Sequence, residues 1–170
     1  MILLIFAIPI SGKTQEVKQS KSSYIKFTSS IGGIYAENSK VKSTLDTKKG
    51  TISFSLAITD FIFRNSLMQK HFNEEDVMNS ENFPKARFNG KILQINTINY
   101  TKDGKYKVDV QGKLTIKGAT KMIKANGTIE IKSGKIKVNS TFSLDRLIFG
   151  VDGNEESVSK ELEILVKASF

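Results

Sequence analysis

Residues 106–116 read YKVDVQGKLTI, and they decide the fold because apolar and polar side chains alternate along them. Tyr106, Val108, Val110, Leu114 and Ile116 share one parity, and the residues between them are mostly charged or polar. Successive side chains of a β-strand point to opposite faces, so a period of two is typical of a strand with one buried face. The stretch therefore predicts a long strand that borders an apolar interior.

The same alternation continues on both sides of this stretch. Residues 51–58, TISFSLAI, repeat it, and turn signals at Gly50, Asp103-Gly104 and Ser133-Gly134 separate the alternating runs. The strands predicted in this way cover residues 23–30, 34–45, 50–59, 85–98, 104–116, 121–132, 135–146 and 159–169. Eight strands joined mostly by short turns predict an all-β fold, either an antiparallel barrel or a sandwich.

Three glycines fall in the inward register of neighbouring strands, at Gly90, Gly112 and Gly127. One interpretation is that missing side chains leave an unfilled volume inside the sheet. The other is that the glycines are bulges or bends that let a barrel close. Both interpretations favour a barrel, and because the inward positions carry almost no charge, an enclosed space would be dry and suited to an aliphatic ligand.

The composition limits the class of protein. A chain of 170 residues is long enough for one domain with a substantial core, and the absence of cysteine excludes disulfides and thiolate metal sites. The formal net charge is +9, but only three of the 26 basic residues are arginines. Because base recognition relies on arginine, we expect no nucleic-acid partner, and an anionic membrane surface fits the charge at least as well.

The first residues predict export. Ile2 to Ile10 form an apolar run that suits the core of a signal peptide and is too short to span a bilayer. No basic residue precedes this run, so a merely mobile N-terminus is the alternative. We therefore assign residues 1–20 to a signal peptide and mobile N-terminal segment, and residues 21–170 to one β-barrel domain.

The alternation breaks between residues 60 and 84, where a short helix is predicted. Leu67, Met68, His71 and Phe72 fall on one helical face. Ser66 is the predicted cap of this helix, and Asn73 the predicted cap of a second turn. The carboxylates at 74–76 would then lie in a first turn, where the helix dipole favours them.

His71 is the chain's only histidine, and its neighbours Glu74 and Glu75 make it the one candidate for acid/base chemistry. A zinc site needs three protein ligands, and the chain offers one histidine and no thiol, so we predict no metal site. A histidine that packs at the mouth of the barrel is the simpler interpretation. We therefore expect a protein that is not an enzyme.

Two stretches resemble signatures of the YceI-like family. Phe61 to Ile92, FIFRNSLMQKHFNEEDVMNSENFPKARFNGKI, has the family's order of an apolar strand end, a helical segment, an aromatic-proline pair and a strand. Leu114 to Lys121, LTIKGATK, resembles the family's L-T-I-H-G-V-T-K, with Lys117 in place of the frequent histidine and Ala119 in place of valine. The resemblance covers roughly residues 24–168.

The resemblance implies an eight-stranded antiparallel, lipocalin-like barrel with a short helical segment that covers one mouth. It also implies export, in bacteria to the periplasm, and a long isoprenoid ligand such as a polyprenyl or quinone-type lipid held inside the barrel. No other cofactor is implied. The positions that would lie against the ligand are Phe54, Leu56, Phe61, Phe63, Met68, Phe72, Phe88, Ile92, Val108, Val110, Leu114, Ile129, Val138, Phe142 and Ile164.

Each of these residues could instead belong to an ordinary core, which leaves alternatives open. A stress-response or structural interaction module would have a filled barrel, and a cavity enzyme would use His71. The partners we expect are a long-chain apolar lipid and an anionic membrane surface, with a homodimer as a further candidate assembly.

Overall fold

The computed structural model describes residues 17–154 and 156–170. Within these residues the chain forms eleven β-strands and one α-helix. In chain order they are β1 (Val17–Gln19), β2 (Ser22–Ser29), β3 (Tyr35–Asn38), β4 (Lys42–Asp46), β5 (Thr51–Ala57), β6 (Ile62–Phe63), α1 (Ser66–Asn73), β7 (Lys85–Ile92), β8 (Gly104–Ile116), β9 (Ala119–Lys132), β10 (Lys135–Asp145) and β11 (Glu161–Ser169). The strands form one antiparallel sheet, which confirms the predicted all-β, lipocalin-like fold.

The strand count is the part of the fold prediction that was wrong, since the sheet has eleven strands rather than eight. Two of the extra strands, β1 and β6, are only three and two residues long. The third arises because the predicted strand 34–45 is divided into β3 and β4. The buried side chain of Asn38 causes the break, because it accepts a hydrogen bond from Lys40 N and donates one to Ala57 O, as in an Asx turn.

This divided run also joins the two sides of the curled sheet. β3 pairs with β2, whereas β4 pairs with β5. The strands between them follow the order β5, β7, β8, β9, β10, β11 and β2. The chain from Tyr35 to Asp46 therefore contacts both ends of that series, and the sheet encloses an interior.

The pairing between β9 and β10 is incomplete and leaves a lateral gap. These strands pair only from Lys132 and Lys135 up to Gly127 and Ser140. From Asn126 back to Ala119, β9 has no partner in β10. The rest of β10, beyond Ser140, pairs with β11 alone. A 3₁₀ turn at Leu147–Phe149 crosses the top of the gap and contacts β9.

The two ends of the barrel differ in their packing. At the lower end, the connections 47–50, 93–103 and 133–134 enclose a buried cluster that includes Ile92, Ile129 and the last residue, Phe170. At the upper end, the segments 30–34, 58–84, 117–118 and 146–160 form the loops. The lower end is thus closed by a continuous core, and any enclosed space must lie above it.

Two of the three inward glycines, Gly90 and Gly112, do not leave a void, whereas Gly127 lines the cavity described below. Gly90 and Gly112 face each other across β7 and β8, and the ring of Phe88 lies over both positions. A Cβ atom added at Gly112 would lie 2.4 Å from the carbonyl oxygen of Asn89. The glycines therefore permit close approach of the two backbones, with an aromatic ring covering the site.

The predicted signal peptide and mobile N-terminal segment covers residues 1–20. Residues 1–16 of it lie outside the described residues. The sheet begins at Val17, ahead of the assigned domain boundary at residue 21, because β1 pairs with β4. Across residues 17–154 and 156–170, none of the helical segments has the length and apolar character needed to span a bilayer.

Candidate functional site

An apolar cavity of about 250 Å³ lies inside the barrel, above the lower core. A water molecule needs only about 10–15 Å³ of such space, so the cavity could hold many waters, yet its walls offer them few polar partners. The polar residues among its lining are Asn126, Thr128, Asn139, Ser140, Arg146 and Asp152. The space therefore suits an apolar molecule better than water.

Eleven of the fifteen predicted ligand residues line this cavity. They are Phe54, Leu56, Phe61, Phe72, Phe88, Val108, Val110, Leu114, Val138, Phe142 and Ile164. Nine of them lie on strands, where side-chain parity decides which face is inside, whereas Phe61 and Phe72 lie outside the strands and were expected near the ligand from the family resemblance. Their contact with a ligand remains a prediction.

The other four predicted residues do not line the cavity. Ile92 and Ile129 are fully buried in the lower core, where the barrel is filled by its own side chains. Phe63 is buried beside the cavity within the aromatic cluster described below. Met68 is 42% exposed, because it lies on the outer side of α1.

Several lining residues were not predicted. Those on the strands include Ile25 and Phe27 of β2 and Leu162 and Val166 of β11, and their alternation was a usable signal. Val77, Met78, Phe149 and Val151 come from the upper loops, which have no period from which burial could be inferred.

Helix α1 closes the upper end through one side chain. Its residue Phe72 contacts three other rings, with centroid distances of 5.6 Å to Phe27, 5.9 Å to Phe61 and 4.9 Å to Phe63. No residue of α1 is itself buried. The helix is thus a thin cover, held mainly by this aromatic cluster.

The ends of α1 differ from the prediction. Its N-cap is Asn65, whose Oδ1 accepts a hydrogen bond from Leu67 N at 2.8 Å, and not Ser66. Asn73 is the last residue of α1 rather than the cap of a second turn. The carboxylates at 74–76 therefore follow a helix C-terminus, where the dipole does not favour them.

His71 compensates for part of this unfavourable arrangement. Its Nδ1 lies 2.7 Å from Oε2 of Glu74, and both side chains are exposed. The ligand atoms of His71, Glu74 and Asp76 lie within 4.8 Å of one another, but exposed groups of this kind are common without a metal. His71 is not among the residues that line the cavity.

The ion pair of His71 and Glu74 makes a pH-dependent contribution to the free energy of unfolding. Hydrogen bonding to Glu74 raises the pKa of His71 above its usual 6.5. A raised pKa in the folded protein means that this contribution is complete below pH 6.5 and is lost as the pH rises through the raised value. We expect Glu74→Gln to lower the His71 pKa, as measured by an NMR titration of the imidazole. Glu75→Gln is the control and should leave it unchanged; equal shifts in both variants would contradict the assignment.

Lys117 connects three loops of the upper end. Its ammonium group donates to the carbonyl oxygen of Gly150 at 2.9 Å and to that of Asp76 at 3.3 Å. It is located at the tip of the β8–β9 hairpin, with a φ of 47°. The lysine therefore ties the cover to the segment that crosses the top of the lateral gap.

Removing this tie should loosen the upper end without disturbing the barrel. We expect Lys117→Met to lower the free energy of unfolding by about 1 kcal/mol, the usual net value of such hydrogen bonds. Hydrogen exchange should accelerate at residues 74–80 and 146–150 and stay unchanged in β8. Lys121→Met, an exposed lysine four residues further along, is the control. Equal hydrogen-exchange rates in the two variants would show that the hydrogen bonds of Lys117 do not hold the upper loops in place.

Arg146 is the most buried charged residue at the cavity, with 3% of its surface exposed. Its guanidinium donates to four carbonyl oxygens, those of Val151, Gly153, Val158 and Ser159. These bonds organise the upper loop 146–160 around one side chain. No pattern of residue types predicts this arrangement, because the partners are main-chain atoms.

Comparisons with known proteins agree with this architecture. A domain from Saccharophagus degradans, described as polyisoprenoid-binding and implicated in plant cell wall breakdown, superposes with a TM-score of 0.77 at 10% identity, over 91% of this chain and 97% of that one. BcnA of Burkholderia cenocepacia gives 0.73 at 18% identity, over 87% and 96%. A YceI protein of Campylobacter jejuni gives 0.60 at 18% identity, over 99% and 90%.

At these identities the similar structures establish the fold alone. A search of curated protein sequences gives no match. The sequence itself matches the YceI-like domain over residues 12–170, which is nearly the whole chain. The chain therefore belongs to the YceI-like family.

Proposed function

We propose that this protein is exported and holds one long, apolar chain molecule, such as a polyisoprenoid, inside its barrel. The observation that carries the proposal is the apolar cavity between a closed lower core and a thin upper cover. The polyisoprenoid-binding description of the similar Saccharophagus domain supports the ligand class. Binding rather than chemistry is favoured, because the ionisable side chains at the cavity are Arg146 and Asp152.

Burial of hydrocarbon is sufficient to give tight binding. One buried methylene contributes about 0.8 kcal/mol, so a five-carbon isoprene unit contributes up to about 4 kcal/mol before ordering costs. Four or five such units would approach the practical ceiling of noncovalent affinity. Specificity would then come from the length and width of the cavity.

A long ligand must also displace part of the upper end. Pockets for small ligands usually measure about 300–1,000 Å³, and this cavity of about 250 Å³ falls just below that range. Phe72 and the lateral gap between β9 and β10 are the two places where few contacts resist opening. Loading therefore involves movement of the cover or widening of the gap.

The direct test is to purify the protein from a bacterial host, extract it with organic solvent and identify the extract by mass spectrometry. We expect about one long-chain apolar molecule per protein. Recovery of none, together with no uptake from lipid vesicles, would refute the proposal and leave a structural module as the alternative. Fractionation of the native cells would test export separately, because an exported protein should appear in the periplasmic fraction.

The charge distribution favours lipid exchange at an anionic membrane surface. It indicates that the side of the barrel, rather than its upper end, faces that membrane. Segments 58–84 and 146–160 contain eight acidic and four basic residues. The outer faces of β7 to β10 instead carry eleven exposed basic residues against one exposed acidic residue, Asp109. The basic ones are Lys85, Arg87, Lys91, Lys105, Lys107, Lys113, Lys121, Lys124, Lys132, Lys135 and Lys137. This basic wall includes the strand that borders the lateral gap.

Neutralising part of the basic wall should weaken vesicle binding. Each lysine near an anionic bilayer contributes about 1 kcal/mol, so Lys91→Ala with Lys124→Ala should cost about thirtyfold in affinity for phosphatidylserine vesicles at low salt. The control pair is Lys42→Ala with Lys167→Ala, both exposed and on strands outside the wall. Equal losses for the two pairs, measured by co-sedimentation, would contradict a directed surface.

A further inference from the structure

The barrel wall is unpaired along the upper part of the gap between β9 and β10. Residues 119–126 of β9 pair with β8, and residues 141–145 of β10 pair with β11. Within the part of the chain that the structure describes, no main-chain pairing joins these two edges. The strands from β5 to β9 and from β10 to β2 are joined by antiparallel ladders. Separating the two edges of the gap therefore breaks no ladder hydrogen bond, unlike an opening between any of those strands.

A side-chain hydrogen bond crosses the gap at its lower end. Ser140 Oγ donates to the carbonyl oxygen of Asn126 at 2.6 Å, beside the last main-chain pair of Gly127 with Ser140. Among the described residues, no hydrogen bond joins 119–126 with 141–145. Above the Ser140 bond, the packing of side chains is therefore what separates the cavity from the outside.

Helix α1 is held by more contacts than the gap is. Phe72 packs against three other rings, and Gln69 Oε1 accepts a hydrogen bond from Phe63 N at 3.3 Å. Lys117 also ties the loop that follows α1 to Gly150. Lifting the helix would break these contacts together and expose aromatic surface to water. The gap is thus the weaker of the two barriers around the cavity.

The cavity extends to both edges of the gap. Its lining includes inward side chains from each edge, namely Ile123, Ala125, Phe142 and Leu144. At the lower end of the gap, Gly127 and Ser140 line both the cavity and a recess of the outer surface. A hydrocarbon chain that passes between the two edges would therefore reach the cavity without crossing the cover.

The outer surface beside the gap combines exposed apolar side chains with positive charge. Met122 on β9 is 56% exposed, and Ile148 on the turn that crosses the top of the gap is 43% exposed. Lys124 lies two residues from Met122 on the same outer face. Lysines attract an anionic bilayer, and apolar side chains beside them can enter its surface. The gap thus opens within the basic wall, on the side of the barrel proposed above to face the membrane.

We propose that the gap between β9 and β10 is a side portal, through which a lipid chain passes directly between an anionic membrane and the cavity while α1 stays in place. This inference rests on the proposed lipid-binding function and adds the route of the ligand and the surface that delivers it. The partner at this surface is a bilayer of anionic lipids, as the excess of basic residues on β7 to β10 requires.

The first test compares variants that weaken the gap or the cover, with fluorescence following transfer of a pyrene-labelled alkane between phosphatidylserine vesicles and the protein. Ser140→Ala removes the hydrogen bond across the gap, so we expect uptake and release both to accelerate about fivefold with Kd unchanged. Ser143→Ala is the matched control, since it removes a β10 hydrogen bond that is directed to Glu161 on β11. Asn65→Ala removes the N-cap of α1, which loosens the cover, and should leave both rates unchanged. Acceleration by Asn65→Ala and not by Ser140→Ala would overturn the portal and assign the route to the cover.

A crosslink tests the same route within one variant. The chain contains no cysteine, so Lys124→Cys with Ser143→Cys can be joined across the outer side of the gap by a short bis-maleimide. The control is the same protein with both cysteines capped by N-ethylmaleimide. We expect the crosslinked protein to take up the alkane at least about tenfold more slowly than the capped one. Equal rates would overturn the portal and leave lipid binding intact, whereas failure of the wild-type protein to take up any alkane would overturn the proposed function and the portal with it.

Discussion

An Ala125→Phe variant is expected to lose bound lipid while it keeps its fold. Ala125 lies on β9, lines the cavity and pairs with Val110 on β8. On its other side the chain has no strand partner, because the β9–β10 pairing ends at Gly127. A phenyl ring at this position can enter the cavity without overpacking the core.

The expected loss follows from the hydrocarbon that the ring displaces. Excluding about one isoprene unit removes up to roughly 4 kcal/mol of binding free energy, which is about a thousandfold in Kd. Met122→Phe is a matched control, since it adds the same ring on the outer face of the same strand and removes no charge. Lipid content after extraction and uptake from vesicles measure both variants. Undiminished lipid in Ala125→Phe would show that the ligand does not occupy this cavity.

The barrel itself could be predicted because a strand leaves a strong periodic trace in the sequence. The predicted strand 104–116 coincides with β8, and the predicted strand 135–146 differs from β10 by one residue. The inward parity of β5, β7 and β8 also placed Phe54, Phe88 and Val110 at the cavity. In each of these strands one face is buried and the other is exposed to solvent, so the alternation of apolar and polar residues shows which side chains point inward.

The depth of each inward residue could not be predicted in the same way. Ile92 and Ile129 share the parity of the lining residues, yet they lie in the lower core because the barrel is filled at that level. Parity distinguishes inside from outside but does not locate the floor of the cavity. That floor depends on the connection 93–103 and on Phe170, which pack from outside the strands.

The polar parts of the site could not be read from the sequence because their partners are main-chain atoms. Arg146 and Lys117 both donate to carbonyl oxygens of the upper loops, and no pattern of residue types marks such a partner. The family frequently has histidine at the position of Lys117. The structure shows that the lysine reaches two other loops through carbonyl oxygens.

The inward glycines Gly112 and Gly90 differ in how well they would tolerate an added side chain. At Gly112 an added Cβ would lie 2.4 Å from both Asn89 O and Gly90 Cα, and these backbone atoms cannot rotate away. At Gly90 the close atoms are instead the Cζ and Cε1 of Phe88, at 2.4 and 2.6 Å, which belong to a side chain. The two glycines face each other in the sheet but have different constraints.

Gly112→Ala is therefore expected to be strongly destabilising. Separating β7 from β8 enough to admit the methyl group should cost about 3 kcal/mol, at the upper end of the usual overpacking range. For a chain of this size that corresponds to a fall in Tm of roughly 6–12 °C by calorimetry. Gly90→Ala should cost about 1 kcal/mol, since the ring of Phe88 can move.

A double-mutant cycle with Phe88→Leu distinguishes the two mechanisms. A smaller side chain at Phe88 should relieve most of the cost of Gly90→Ala, because the obstacle there is the ring itself. It should leave most of the cost of Gly112→Ala, because the carbonyl oxygen of Asn89 stays in place. If Phe88→Leu restored the stability of Gly112→Ala in full, the close approach of the β7 and β8 backbones would not be what requires glycine at this position.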